Sequence, residues 1–190
     1  MKGRLFCFVI LVRIRKIVIT GNVFLVGPMG AGKSTVGRNL AKVLGRDFFD
    51  SDKEIEYRTG VSISWIFEME GEAGFRLREK KVIEELTGLK DIVLATGGGA
   101  VLDEDNRRVL RSRGHVIYLS ASVEQLMRRT AKDKNRPLLQ TDDPEQKIQH
   151  LLEQRAPLYA DIADVTLRTG EQSIQHAVAE LVKKLKEIEA

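Results

Sequence analysis

The residues Gly27-Pro-Met-Gly-Ala-Gly32-Lys33-Ser34 carry the plainest chemistry in this chain. They read G-x-x-x-x-G-K-S, the phosphate-binding P-loop signature. The glycines leave room for backbone N–H groups to curl around phosphate oxygens, and a following helix adds its positive dipole end. Lys33 is expected to reach the outer phosphates and the Ser34 hydroxyl to ligate Mg²⁺. The chemistry implied is binding of a nucleoside triphosphate. What the chain does with it must come from other residues.

Acids and arginines supply the candidates. Asp50 and Asp52 close the run Phe48-Phe49-Asp50-Ser51-Asp52. One acid there can hold the water shell of a magnesium ion, and a second can orient an acceptor hydroxyl and take its proton. Spacing alone equally allows Asp52 to cap a helix beginning at Lys53. Thr96-Gly97-Gly98-Gly99 follows the apolar run Ile92–Ala95. Consecutive glycines permit close backbone approach to a ligand or a plain tight turn. Arg76 and Arg155 each read alone as solvated helix residues. Converging on one pocket, their planar forks would clamp a carboxylate and imply a small anionic substrate.

The elements that must position these residues alternate. Short apolar strands are expected at 22–26, 47–49, 91–95, 115–119 and 163–167, with helices between them, which predicts an α/β fold with a parallel sheet. Val23–Val26 followed by the glycine-rich run and an amphipathic stretch from Thr35 to Leu44 gives the strand–loop–helix context that the motif requires. In such a sheet ligands bind at the carboxyl ends of the strands, where Asp50, Asp52 and the triple glycine all fall. Asp143-Pro-Glu-Gln146 and Ser122-Val-Glu-Gln125 resemble capped helix starts. Leu151, Leu152 and Leu158 suit a buried stripe on the first of these helices. Residues 128–143 are polar, interrupted by Pro137, and hold Arg128, Arg129, Lys132, Lys134 and Arg136. Beside a P-loop this predicts a mobile lid that closes over phosphates and excludes water.

Bulk properties narrow the field. At 190 residues the chain is expected to form one domain with a substantial core. Lys2, Arg4, Arg13, Arg15 and Lys16 account for the net charge of +4, and the remainder is nearly neutral. That argues against a general nucleic-acid surface. Cys7 is the only cysteine, which excludes an intrachain disulfide and a cysteine metal site. The apolar run Leu5–Val12 is too short to span a bilayer, and Arg13, Arg15 and Lys16 follow it where a signal peptide would end in small residues. Residues 1–20 are therefore expected to be an added extension: an edge strand, a poorly ordered arm or the product of an upstream start codon. A GTP switch would carry an acidic switch motif and an Asn-Lys-x-Asp, and the sequence has neither.

In order, Gly27-Pro-Met-Gly-Ala-Gly-Lys-Ser-Thr35, Asp50-Ser-Asp52, Gly74-Phe-Arg76, Thr96-Gly-Gly-Gly99, Arg136-Pro-Leu-Leu139 and Arg155-Ala-Pro-Leu-Tyr159 make a set that resembles the shikimate kinases. The spacers Glu54-Ile-Glu-Tyr-Arg-Thr-Gly60 and Asp161-Ile-Ala-Asp-Val165 are similar too, and the likeness runs from about residue 20 to the C-terminus. It implies a three-layer fold like that of nucleoside monophosphate kinases, with a five-stranded parallel sheet of order 2-3-1-4-5 in one domain, 21–190. It implies ATP- and Mg²⁺-dependent phosphorylation of the 3-hydroxyl of shikimate, on the route to chorismate and the aromatic amino acids. Gly30, Ala31, Gly32, Lys33, Ser34 and Thr35 would bind the ATP phosphates, with Ser34 on Mg²⁺ and Asp50 supporting its shell through water. Asp52 would contact the ring hydroxyls and act as the base. Arg76 and Arg155 would hold the shikimate carboxylate, and the backbone at Gly98 and Gly99 the ring. Lys33 and Arg136 would neutralise the transferring group, while Arg129 and Gln172 would lie by the adenine. The resemblance implies a cytoplasmic monomer without nucleic-acid or membrane partners. The alternatives are another small-molecule kinase acting on gluconate, a nucleotide or adenylylsulfate, and a non-catalytic ATP-binding module.

Overall fold

The structure is a computed structural model that describes residues 19–131, 143–170 and 172–189. Most of the 1–20 extension and the stretch 132–142, which includes Arg136, lie outside the described residues.

Five short strands form one parallel sheet: β1 (Asn22–Val26), β2 (Asp47–Asp50), β3 (Ile92–Ala95), β4 (Gly114–Ser120) and β5 (Val165–Arg168). Their order is β2-β3-β1-β4-β5, as expected, so β1 is central and the chain reverses direction of winding beside it. Residues Val23–Val26 and Val93–Leu94 are fully buried, as they must be in strands covered on both faces. Helices α1 (Lys33–Leu44), α2 (Ser51–Thr59), α3 (Ile63–Thr87), α4 (Glu104–Arg113), α5 (Val123–Thr130), α6 (Pro144–Ile162) and α7 (Ile174–Ile188) complete the layers. One core packs α1 and α7 against Val23, Leu25, Ile117 and Leu119. The other packs α3, α4 and α6 against Phe24, Val26, Leu94 and Val116. Alternate residues of β1 thus feed opposite cores.

Two boundaries and one buried face differ from the sequence reading for physical reasons. Helix α2 begins at Ser51 rather than Lys53, because Asp50 is its cap and accepts from the backbone N–H groups of Asp52 and Lys53. The cap role that spacing allowed for Asp52 therefore belongs to Asp50. Arg128 and Arg129 belong to the last turn of α5, not to a loop. The Ser122–Gln125 capping box starts that helix, buried Leu126 and Thr130 anchor it, and its basic end suits the helix dipole. In α6 the buried residues are Ile148, Arg155, Tyr159 and Ile162, whereas Leu151, Leu152 and Leu158 are only half-buried. Leu152 and Leu158 still pack on the two cores, but an arginine takes one of the buried positions of the helix.

Helix α3 bends at Gly71, which has φ 70° and ψ −176°. Arg78 reaches back across this bend to the Glu70 carboxylate with both terminal nitrogens, at 2.5 and 2.8 Å. The bend lets the second half of α3, with Phe75 and Glu79 buried, lie against the residues that follow β3.

Candidate active site

The loop between β1 and α1 lies at the carboxyl ends of the strands. Gly30 and Gly32 have φ of 79° and 94°, a left-handed conformation that a Cβ would strain. Lys33 opens α1 and is buried, with its ammonium donating to the carbonyls of Gly27 (2.7 Å) and Pro28 (2.8 Å). The Ser34 hydroxyl donates to Asp50 Oδ2 at 2.5 Å. That joins the start of α1 to the end of β2 and brings two hard oxygen donors together. No group of three or more His, Cys, Asp or Glu side chains is arranged to hold a metal among the described residues. Two oxygens beside a phosphate cradle fit Mg²⁺, which keeps several waters and takes its remaining ligands from substrate phosphates.

A cavity of about 460 Å³ runs along this loop, from Asp50, Asp52 and Gly98 at one end to Arg129, Thr169, Gly170, Gln172 and Ile174 at the other. It contains Gly30 to Thr35 between those ends. The structure therefore gathers the P-loop residues, both aspartates, Gly98, Arg129 and Gln172 around one space. Arg129 donates to Thr169 Oγ1 and the Gly170 carbonyl, both at 3.0 Å, and to the Gly30 carbonyl at 3.3 Å.

The second half of the site sits on the turn after β3. The Gly97 N–H donates to Ser51 Oγ at 2.9 Å, which fixes the start of α2 beside it. A Cβ on Gly97 would stand 2.6 Å from Glu79 Oε1 and 2.7 Å from Asp52 Oδ1. One on Gly99 would collide with the Arg76 guanidinium. These glycines are thus close-approach positions, because carboxylates and a guanidinium lie directly on the backbone. Tyr159 donates its hydroxyl to the Gly98 carbonyl and is held well above its ordinary pKa by burial, so it remains a donor. Arg155 lies close enough to that tyrosine to act on it, is 5% exposed, and its Nε makes no hydrogen bond among the described residues. A buried cationic N–H left in this way is set for an anionic acceptor.

Glu79 is the residue that the sequence reading missed. It is 1% exposed, and Arg76 Nη1 donates to its Oε2 at 2.6 Å. Oε1, on the Gly97 side, has no hydrogen bond among the described residues. Burial pushes its pKa up to about 7, against the pull of Arg76, and neighbouring Asp52 pushes the same way. Glu72 holds the outer edge of Arg76, with Nε at 3.1 Å and Nη2 at 2.7 Å. Arg76, Glu79 and Asp52 therefore crowd the 97–99 backbone, and Arg155 lies close enough for its charge to act on Glu79, with Asp52 and Gly98 on the wall of the cavity. This arrangement can align an anionic acceptor with a triphosphate and take a proton from it.

Comparison with known proteins gives the family and the fold. The family model described as shikimate kinase matches residues 29–186. A shikimate kinase of Nitrosococcus oceani is 56% identical over 166 residues, covering 87% of each chain. One of Methylococcus capsulatus is 58% identical over 161 residues, covering 85% of this chain and 90% of its own. The structure of shikimate kinase from Acinetobacter baumannii in complex with shikimate superimposes with a TM-score of 0.82 at 53% identity, over 89% of this chain and 92% of that one. A gluconokinase from Sinorhizobium meliloti shares the fold, with a TM-score of 0.59 at 18% identity over 90% of this chain and 94% of its own.

Proposed function

The chain belongs to the shikimate kinase family, and from that premise we propose how its site works. It transfers the terminal phosphoryl group of ATP to the 3-hydroxyl of shikimate, giving ADP and shikimate 3-phosphate. The observation that carries the acceptor is a pair of arginines that both act on Glu79: Arg76 against the 97–99 turn, and buried Arg155, whose Nε makes no hydrogen bond among the described residues. A carboxylated ring fits there. Arg76 and Arg155 hold its carboxylate, and the backbone at Gly98 and Gly99 packs against the ring. Holding the far end of the substrate selects which hydroxyl faces the nucleotide.

Asp52 orients that hydroxyl and accepts its proton as the oxygen attacks the γ-phosphorus. The bond to the bridging oxygen breaks, and ADP leaves. Phosphoryl transfer asks little covalent chemistry of a protein, so alignment and charge dominate. In this structure the Lys33 ammonium rests on two carbonyls of its own loop, and a triphosphate in the loop gives it anionic partners instead. The N–H groups from Gly30 to Thr35 cradle the phosphates, and Arg129 and Gln172 flank the base. Ser34 and Asp50 would hold Mg²⁺, which supplies charge neutralisation on the phosphate oxygens when bound. Arg136, from the stretch between α5 and α6, adds positive charge at the transferring group.

The reading extends to a monomer that works in the cytoplasm without nucleic-acid or membrane partners. No helix among the described residues is long and apolar enough to cross a membrane. The kinase domain is taken to begin at Ile19 rather than at residue 21, because Ile19 is buried in its core and Thr20 donates to Glu189; residues 1–18 lie outside the described residues. The acceptor assignment is tested with Arg155→Ala. Its KM for shikimate is expected to rise by roughly a hundredfold, as for loss of a buried charged hydrogen bond, with KM for ATP unchanged. An equal rise for ATP would place Arg155 on the nucleotide side.

A further inference from the structure

Thr169 lies one residue past β5, at the nucleotide end of the cavity, and is buried. Its hydroxyl has three partners in reach: Arg129 Nη1 at 3.0 Å, the Ala31 carbonyl at 3.0 Å and the Ser120 carbonyl at 3.1 Å. Arg129 can only donate, and a hydroxyl has one proton to give. The Ser120 carbonyl already receives the Thr169 backbone N–H at 2.7 Å. The hydroxyl proton is thus best placed on Ala31.

That carbonyl needs a partner. Gly32 is the cap of α1 and supplies the first acceptor of the helix, to Val36 N–H at 2.9 Å. Ala31 lies one residue outside that ladder and is fully buried. All described peptide bonds are trans, so fixing the Ala31 carbonyl turns the Gly32 N–H to the opposite edge of the same plane. The neighbouring Gly30 carbonyl is held by the same arginine that Thr169 receives. One side chain at the end of the edge strand therefore ties two consecutive peptides of the phosphate loop to the wall of the base site.

We propose that Thr169 is a positioning residue for nucleotide binding: its hydroxyl pins the Ala31 carbonyl and the Arg129 guanidinium, and so sets the phosphate loop and the base wall in one register. The hydroxyl gives its one proton to the loop and accepts from Arg129, so it acts through Arg129 and the loop rather than as a donor to the nucleotide. The inference rests on the nucleotide half of the proposed function and is independent of the acceptor.

The test is ADP binding to the full chain with Mg²⁺ and without shikimate, by titration calorimetry. Thr169→Val keeps the shape and removes the hydroxyl. Thr169→Ala removes it without setting a methyl against the Ala31 carbonyl, and decides the matter if the valine variant does not fold. Either folded variant is expected to bind ADP about tenfold more weakly, since a buried acceptor and a charged donor each lose a partner. Thr169→Ser should remain within about twofold of the unsubstituted chain, and all variants should keep KM for shikimate at saturating ATP. Unchanged ADP affinity in a folded Val or Ala variant, no rescue by Ser, or an equal rise in KM for shikimate would overturn the proposal. An unsubstituted chain that binds ADP but ignores shikimate refutes the acceptor assignment and leaves this comparison intact.

Discussion

Replacing Glu79 with Gln removes a titrating group from a buried site while keeping its shape and an oxygen for Arg76. The carboxyl's pKa rises from 4.5 to about 7, because burial disfavours the charge more than Arg76 favours it. Between those values the folded protein holds a proton that the unfolded chain has released. This contribution to stability is fully present below about pH 4.5 and is lost as pH rises through 7. At 1.36 kcal/mol per pH unit the shift corresponds to about 3 kcal/mol. Glu79→Gln does not titrate, so it should gain about that much on the unsubstituted protein between pH 4.5 and 8. For a domain of this size that is roughly 6–12 °C in Tm. The assay is thermal unfolding of both ligand-free proteins at several pH values and constant ionic strength. A difference in Tm that stays constant with pH, or that favours the variant more toward acid, would refute the reasoning.

Other perturbations separate the two halves of the site. Lys33→Ala is expected to lower kcat by at least about a thousandfold with the fold intact by circular dichroism, since the principal side-chain cation of the loop is gone; activity within tenfold would remove its assigned role. Asp52→Asn should cut kcat by roughly 10²–10⁴ and leave ATP affinity within about threefold. If kcat survives, Asp52 only orients the acceptor. Gly99→Ala drives a methyl into the Arg76 guanidinium, so KM for shikimate should rise by about tenfold while KM for ATP stays put; steady-state kinetics with each substrate varied will show which moves.

What could be read in the sequence follows from how local each signal is. The P-loop is a contiguous run, and its strand and helix are adjacent in sequence, so Gly30 to Thr35 fell into place. Asp50 and Asp52 were legible as acids at a strand end, but not which of them caps α2, because the start of that helix depends on Ser51 packing under Gly97. Glu79 was hidden in a stretch dense with Glu, Lys and Arg that reads as a solvated face. It is buried only because α3 bends at Gly71 and lays its second half on the 97–99 turn. Arg155 looked solvated because nothing local marks it as buried; Leu152 and Leu158 do pack on the two cores, and Arg155 is buried more deeply than either in the same helix. Thr169 carries no local signal, since its role depends on the β4–β5 register and on a residue 138 positions away.

The central claim is the identity of the acceptor, and ADP release from Mg·ATP tests it most directly. Release should be slow with ATP alone, strongly stimulated by shikimate, and unaffected by gluconate, AMP or CMP. Stimulation by one of those in place of shikimate would contradict the acceptor site built on Arg76 and Arg155. Stimulation by none would contradict the assignment of a kinase.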